Sequence, residues 1–299
     1  MGQLTAKRPR KHHYIPEFYL RWWTGDDGRL ERYSKPIPSK VAVRRVYPRE
    51  VRWQYNLYIS PDQQSQTADV LETDFFQWVD NRAAPVLERL NERKSPVLSD
   101  DEKSAWVTLI MSIFNRTPEN LEAVKSSGQR VWEGIRPTLS EDVNRLSGFD
   151  RSGEVDSYLA TVRPSHTDQM SLDALPHLIQ NARLVSFINN MHWAVCELPE
   201  ECFDLLLSDN PIAYTNGLMK NDGHLAMPLS PRRLFVATWK RETLKQMMTL
   251  PAKQLVQGMN QWTVESARHF VASPNRLQNR FISNRMGSHL KPGYGRGPL

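Results

Sequence analysis

The chain has 299 residues, of which 39% are hydrophobic and 24% are charged, and its formal net charge is +6. This length and composition are ordinary for a globular protein with a sizeable core. The absence of any run of about 18 apolar residues excludes a membrane-spanning helix. With only two cysteines, Cys196 and Cys202, a disulfide framework is excluded, and a reducing, cytoplasmic compartment is expected.

Part of the positive charge is concentrated near the N-terminus. The clustered basic residues are Lys7, Arg8, Arg10 and Lys11, followed by Arg44, Arg45, Arg49 and Arg52. Such clusters indicate either a solvated surface or contact with a nucleic-acid backbone, and both interpretations stay open. Residues 1–10 are predicted to be a flexible basic arm. Residues 287–299, with four glycines and two prolines, are predicted to be a disordered tail.

The N-terminal part is predicted to contain short strands, because aromatic and β-branched residues alternate there with turn signals. A turn at 25–28 precedes a predicted strand at 30–33, and further strands are expected at 41–46 and 57–59. From about Thr67 the hydrophobic period becomes helical, and Pro85 is expected to kink or divide this first helix.

Two helix boundaries carry local signals. Ser99 with Glu102 forms a capping-box signature at the start of a second long helix. This helix should stop near Arg116, because Pro118 disfavours helical geometry at Thr117. Thr117 is then a good N-cap and Pro118 a good first residue for the next helix.

The second half of the chain returns from helix to strand and back. The predicted segments are loops with at most one short helix at 138–170, a helix at 173–190, strands at 191–198, 203–207 and 234–239, and a helix at 241–269 with Asn260 near its middle. This order predicts an α+β fold, in which a central helical block packs with a small, mostly antiparallel sheet built from N-terminal and C-terminal strands. We expect one domain over residues 11–286.

Residues 11–20, with the sequence KHHYIPEFYL, are rich in groups that could carry chemistry. The imidazoles of His12 and His13 could act as acid, base or metal ligand near neutral pH. Adjacent histidines point to opposite faces of a strand, so at most one is expected to serve a given site. The alternative is one buried, hydrogen-bonded histidine and one surface histidine.

Two other segments place polar groups at the ends of predicted elements. Asp209 and Asn210 follow a buried apolar run, where functional side chains often lie, although Asp and Asn before proline also form inert turns. Arg116 could bind a phosphate or a carboxylate through its planar guanidinium. Alternatively, it complements a helix dipole or forms a structural ion pair with Asp209.

Several common motifs are absent from the sequence. It contains no Walker-type glycine-rich loop, no G-x-G-x-x-G, no H-E-x-x-H and no G-x-S-x-G. Nucleotide-dependent motors, dinucleotide enzymes, zincins and α/β-hydrolases are therefore disfavoured.

Together, the separated motifs resemble the family of domain of unknown function 4238. The matching segments are residues 11–20, Arg116-Thr117-Pro118, Ser208-Asp209-Asn210-Pro211 and Pro228-Leu229-Ser230-Pro231, within residues 11–275. The sequence departs from the family at Glu17, where glutamine is frequent, and at Trp22-Trp23, where Asn-Phe is frequent. The resemblance implies one intracellular domain, found mainly in bacteria and their phages, with no established activity.

The resemblance also implies that five distant side chains line one cleft: His12, His13, Arg116, Asp209 and Asn210. The first hypothesis is a hydrolase acting on a nucleic-acid phosphodiester, such as a nuclease. One histidine would be the general base, Asp209 would orient it or bind a divalent ion, and Arg116 would stabilise phosphate charge.

The alternatives are a non-catalytic module that binds nucleic acid or protein, and a purely structural polar network in which the N-terminal segment docks on the C-terminal sheet. The sequence leaves any cofactor, any metal requirement and the oligomeric state open.

Overall fold

Helices form the middle of the chain, and strands come from both sides of this helical block. The computed structural model describes residues 11–13, 15–37, 40–51, 53–55, 71–92, 97–215 and 217–290. For residues 11–13, 53–55, 72–73 and 215 it describes the backbone and not the side chains.

The helices of the described residues run in chain order from one short N-terminal helix to one short C-terminal helix. They are α1 (Glu17–Leu20), α2 (Gln77–Glu92), α3 (Asp100–Asn115), α4 (Pro118–Ile135), α5 (Leu139–Ser147), α6 (Ser152–Thr161), α7 (Pro164–Asp173), α8 (Leu175–Ile179), α9 (Ala182–Asn189), α10 (Arg241–Met248), α11 (Ala252–Glu265) and α12 (Asn279–Arg285). A 3₁₀ turn, Arg21–Trp23, follows α1, and a π-helical turn, Leu71–Phe76, leads into α2.

The strands of the described residues all pair antiparallel. They are β1 (Lys11–His13), β2 (Leu30–Ile37), β3 (Lys40–Val46), β4 (Trp53–Tyr55), β5 (His192–Glu197), β6 (Leu207–Ser208), β7 (Ala213–Thr215), β8 (His224–Ser230), β9 (Arg233–Thr238) and β10 (Val271–Ser273). One sheet has the order β3-β2-β10-β6, another has the order β5-β9-β8-β7, and β1 pairs with β4. The predicted α+β class is confirmed, and the first sheet joins N-terminal to C-terminal strands as expected.

The central strand β10 sets the position of the polar residues described below. It pairs with β2 on one side and with β6 on the other, so that Val271 lies opposite both Tyr33 and Ser208. Because β6 and β10 are antiparallel, the residues after β6 meet the residues before β10. Asp209 therefore lies beside the segment 268–270.

The N-terminal segment docks on strands from the C-terminal half. Tyr19 and Trp23 are both fully buried. The indole Nε1 of Trp23 donates to the carbonyl of Leu205 at 2.8 Å, and the Tyr19 hydroxyl donates to the carbonyl of Pro228. The main hydrophobic core thus includes four residues that follow the double histidine in the chain: Ile15, Tyr19, Leu20 and Trp23.

Several local predictions are confirmed. Ser99 accepts from the amide of Glu102 at 3.2 Å, and the Glu102 carboxylate accepts from the amide of Ser99 at 2.8 Å. Arg116 is the C-cap of α3, and Thr117 is the N-cap of α4, with Pro118 as its first residue. Strands β2, β3, β5 and β9 lie where strands were expected, whereas the strand predicted at 57–59 falls outside the described residues.

Pro85 lies inside α2 and does not divide it, because the buried apolar face of the helix packs into the core and offsets one lost hydrogen bond. The alternative, a kink at Pro85, stays a prediction.

Three predictions about segments are wrong. The helix predicted at 173–190 is two helices, because Asn181 caps α9 through the amides of Arg183 and Leu184. The helix predicted at 241–269 is also two, because α11 begins after Pro251. Residues 138–170 form three helices, of which α5 and α6 bury no residue and so lack a core-facing stripe.

The strand predicted at 203–207 is shorter than expected. Only Leu207 and Ser208 pair with a neighbouring strand, because the amide of Leu206 donates to the side chain of Asn260 at 2.9 Å.

At the other end of the chain, residues 287–289 of the predicted tail are hydrogen-bonded to the end of α11: Gly287 to Val264, and His289 to Glu265. Residues 1–10, the predicted basic arm, and residues 291–299 lie outside the described part of the chain. Within the described part, no helix is both long and apolar enough to cross a bilayer.

Helices α4 and α7 approach closely at Gly128. A Cβ added there would overlap the Oγ of Ser171 and would lie 3.1 Å from the Cβ of Ser171. We therefore expect Gly128→Ala to lower the free energy of unfolding by about 1–3 kcal/mol through overpacking, as measured by urea denaturation.

Gly134 lies on the same helix and supplies a matched control. A Cβ at this position would meet nothing within 4 Å. Gly134→Ala is expected to stabilise the protein by about 0.5–1 kcal/mol, because alanine has the higher helix propensity. Equal effects of the two substitutions would show that the helices do not meet at Gly128.

Candidate functional site

Asp209 is a buried carboxylate that accepts three backbone hydrogen bonds. Its side chain is only 2% exposed. Oδ2 accepts from the amide of Arg268 at 3.1 Å, and Oδ1 accepts from the amides of His269 and Phe270 at 3.0 Å each. Burial raises the pKa of the Asp209 carboxyl above its ordinary value, while the charge of His269 and the three amides act in the opposite direction. Asp209 therefore fixes the backbone before β10.

The neighbours of Asp209 complete a turn at the end of β6. Ser208 is fully buried, and its Oγ accepts from the amide of Asn210 at 3.1 Å. Asn210 is partly exposed, and Pro211 is buried. The hydrogen bond from the amide of Asn210 to Ser208 thus closes a turn within the Ser-Asp-Asn-Pro motif, as the turn interpretation expected.

The segment held by Asp209 presents His269 to helix α4. The Nε2 of His269 lies 2.8 Å from Oε1 of Glu119. Glu119 is the second residue of α4, directly after the Thr117-Pro118 helix start. The side chains of His269 and Glu119 are 18% and 31% exposed, so both reach solvent while being held in place.

The neighbouring imidazole of His269 affects the pKa of the Glu119 carboxyl. Burial acts to raise the pKa of the Glu119 carboxyl, but the adjacent imidazole of His269 and the charge of Arg268 hold the pKa below its ordinary value of 4.5. The carboxylate form is therefore the one that the site favours. A carboxylate beside an imidazole orients the ring and stabilises its protonated form, as in known acid–base pairs.

Arg116 has a different partner from the predicted one. Its guanidinium forms two contacts with the Asp80 carboxylate, at 2.7 Å and 3.2 Å, and stacks over the Phe76 ring with its Cζ 4.4 Å from the centroid. The side chain of Arg116 is 3% exposed, whereas that of Asp80 is 25% exposed. Among the described contacts, Arg116 therefore pairs with Asp80, and Asp209 accepts hydrogen bonds from backbone amides. The hypothesised ion pair between Arg116 and Asp209 is wrong.

The two N-terminal histidines lie on β1. His12 is opposite Gln54, and His13 is opposite Trp53, across the antiparallel pair of β1 and β4. Their side chains lie outside the described part of the structure, so their distance from Asp209 is untested, and their place in the site stays a prediction.

The structure brings two of the separated motifs together through residues that the sequence did not single out. Glu119 follows the Arg116-Thr117-Pro118 motif, and Asp209 belongs to the Ser208-Asp209-Asn210-Pro211 motif. His269 connects the two, because its imidazole contacts Glu119 and its backbone amide donates to Asp209. No local signal marks His269, since it lies in a short connection that was predicted as a helix end. Among the described residues, no group of three or more His, Cys, Asp or Glu side chains is arranged to hold a metal ion.

Comparison with protein families identifies the family of this chain. A family described as "Protein of unknown function (DUF4238)" matches residues 11–276, which is most of the chain. The chain belongs to the DUF4238 family. No curated protein and no solved structure shows significant similarity to it. In this DUF4238 protein, the match begins at β1 and ends just after β10, so it includes His12, Glu119, Asp209 and His269.

The contact between Glu119 and His269 predicts a pH-dependent contribution to stability. Because the pKa of Glu119 in the folded protein lies below its ordinary value of 4.5, the stabilisation is present above that value and is lost as the pH falls through the folded-state pKa. We expect Glu119→Gln to cost about 1 kcal/mol at neutral pH and almost nothing in strong acid.

Urea denaturation at a series of pH values would measure this difference. Glu122→Gln, at an exposed position on the same helix, is the matched control and is expected to change stability by less than about 0.5 kcal/mol. A Glu119→Gln effect of constant size at every pH would contradict a charged contact with His269.

Proposed function

We propose that this DUF4238 protein is a hydrolase that acts on a nucleic-acid phosphodiester, with His269 as its acid–base residue. The observation that carries the proposal is the 2.8 Å contact between the His269 imidazole and the Glu119 carboxylate, in a segment fixed by Asp209. A held, partly exposed imidazole beside a carboxylate is a common arrangement for proton transfer near neutral pH.

The proposed chemistry divides the roles among the neighbouring groups. Nδ1 of His269, the ring nitrogen that does not contact Glu119, accepts a proton from the attacking water or hydroxyl and returns one to the leaving oxygen. Glu119 orients the imidazole and stabilises its charged form. Arg268, whose charge already acts on Glu119, supplies positive potential for the phosphate. Asp209 is a positioning residue, because all its described contacts are with backbone amides.

The other predicted site residues keep a place in this proposal. His12 or His13 is proposed as a second catalytic imidazole, supported by the docking of the adjoining segment on C-terminal strands. Asn210 is partly exposed beside Asp209 and is proposed to contact substrate. Arg116 supports the start of α4 from its buried pair with Asp80. The net charge of +6 favours a nucleic-acid partner, and a cytoplasmic location is proposed from the two buried free cysteines.

A second candidate is a non-catalytic module that binds nucleic acid or protein. It is favoured by the fact that Asp209 and Arg116 both have internal partners, which is typical of a structural polar network. Such a module would bind nucleic acid with a steep salt dependence but without turnover.

The two functions are distinguished by a cleavage screen. End-labelled single-stranded and double-stranded RNA and DNA would be incubated with the wild type, His269→Ala and His177→Ala, each with Mg²⁺, with Mn²⁺ and with EDTA. His177 is exposed and serves as the matched histidine control. The proposal requires cleavage of at least one substrate by the wild type and His177→Ala, and its loss in His269→Ala. Binding without cleavage by the wild type would favour the second candidate.

A further inference from the structure

A separate cleft lies at the opposite end of strand β6 from Asp209. It has a volume of about 890 Å³ and is bounded by α11, α12 and the segment 201–203. This volume is in the range of ligand-binding clefts. Residues 204–206 lead from the cleft into β6, and Asp209 follows β6, so the cleft is distinct from the contact between His269 and Glu119.

The floor of the cleft is a fully bonded amide network centred on Asn260, which is 2% exposed. Its Oδ1 accepts from the amide of Leu206 at 2.9 Å, and its Nδ2 donates to the carbonyl of Asp204 at 2.8 Å and to Oε1 of Gln278 at 3.0 Å. Gln278 donates to the same Asp204 carbonyl at 2.8 Å. The network fixes α11, α12 and the start of β6 relative to one another, so the walls of the cleft are preorganised.

The walls carry an excess of positive charge. Lys253, Arg280 and Arg285 line the cleft together with a single carboxylate, Glu201. All three cations are exposed. In the part of the chain that the structure describes, none of the three forms an ion pair with a carboxylate. Their charge is therefore available to an anionic ligand.

Exposed apolar side chains stand beside these cations. Phe203 is 61% exposed and Leu277 is 77% exposed, and both line the cleft. The guanidinium of Arg285 lies over the ring of Phe281, with its Cζ 5.0 Å from the centroid. Aromatic faces next to cations form the type of surface on which nucleic-acid bases stack while phosphates contact the cations.

We propose that this cleft binds a short segment of single-stranded nucleic acid, with phosphates at Lys253, Arg280 and Arg285 and a base on Phe203. The basic residues 7–11 of the chain itself have the wrong charge to occupy it. The site is independent of the proposed cleavage chemistry, so it is expected to bind in a His269→Ala variant as well.

Fluorescence anisotropy with a fluorescein-labelled oligouridylate octamer, in EDTA, would test the cleft on the full chain. The wild type is expected to bind, with an affinity that falls as salt rises. Arg280→Ala should weaken binding roughly tenfold and reduce the slope of log affinity against log salt by about 0.7. Phe203→Ala should weaken binding roughly fivefold to tenfold with an unchanged salt slope.

The matched controls are Arg136→Ala and Lys220→Ala, at exposed cations outside the cleft. Both should bind like the wild type. The proposal fails if the octamer does not bind, or if the controls weaken binding as much as Arg280→Ala. It also fails if a labelled oligoglutamate peptide binds in place of the octamer and depends on Arg280. Binding that persists in His269→Ala while cleavage is absent separates the cleft from the catalytic proposal.

Discussion

Replacing Asp209 by alanine is expected to lower the free energy of unfolding by about 4 kcal/mol. The substitution leaves the amides of Arg268, His269 and Phe270 without their acceptor. Each buried donor left unsatisfied costs about 1–3 kcal/mol. Because Asp209 is nearly inaccessible to solvent, water replaces the carboxylate poorly. Urea denaturation followed by circular dichroism measures the change.

Asp209→Asn refines this prediction. The amide keeps one oxygen for the donors of His269 and Phe270 but brings an NH₂ group towards the amide of Arg268, so a smaller loss of about 2 kcal/mol is expected. Asp26→Ala, at an exposed turn position, is the control and should change stability by less than about 0.5 kcal/mol. A loss below about 1 kcal/mol for Asp209→Ala would mean that the three bonds do not hold the segment before β10.

Removing the imidazole of His269 is expected to have the largest effect on activity. Proton transfer by a positioned side chain contributes about 10²–10⁴-fold to a rate, so His269→Ala should reduce kcat by that factor. Its effect on stability should be smaller than that of Asp209→Ala, because the side chain of His269 is partly exposed and its backbone amide stays in place.

Glu119 is expected to act through His269, and its removal should therefore cost less. We predict about a tenfold loss of kcat for Glu119→Gln with an unchanged KM, since Glu119 orients the imidazole without contacting substrate. The double variant should be no slower than His269→Ala alone, because two residues that act as a unit are not additive. Additive losses in the double variant would contradict a shared role.

Local signals in the sequence were sufficient for the helix boundaries near the site. The caps at Ser99 and Thr117 involve residues three positions apart, and the geometry of one helical turn fixes their contacts. The start of α4, and hence the place of Glu119 in its first turn, follows directly from Thr117 and Pro118.

Elements without a core-facing stripe were not predictable in the same way. Helices α5 and α6 bury no residue, and β10 has only three residues, so neither kind of element leaves a clear period in the sequence. The break after α8 depends on the side chain of Asn181, which a hydrophobic pattern does not register.

The site itself depends on contacts between residues far apart in the chain. The motif residues Arg116 and Asp209 were predicted as candidates, but their partners, Asp80 and the amides 268–270, were not. The antiparallel pairing of β6 with β10 places the segment before β10 beside Asp209, and His269 of this segment contacts Glu119 at the start of α4. Strand pairing across this sequence distance leaves no spacing signal.

The most direct measurement is the single-turnover cleavage rate of a labelled oligonucleotide by the wild type, His269→Ala and His177→Ala. The melting temperature of each protein would first be measured to show that all three are folded in the assay. We predict equal rates for wild type and His177→Ala, and a rate lower by about 10²-fold or more for His269→Ala. Cleavage by His269→Ala at the wild-type rate would contradict the role assigned to His269.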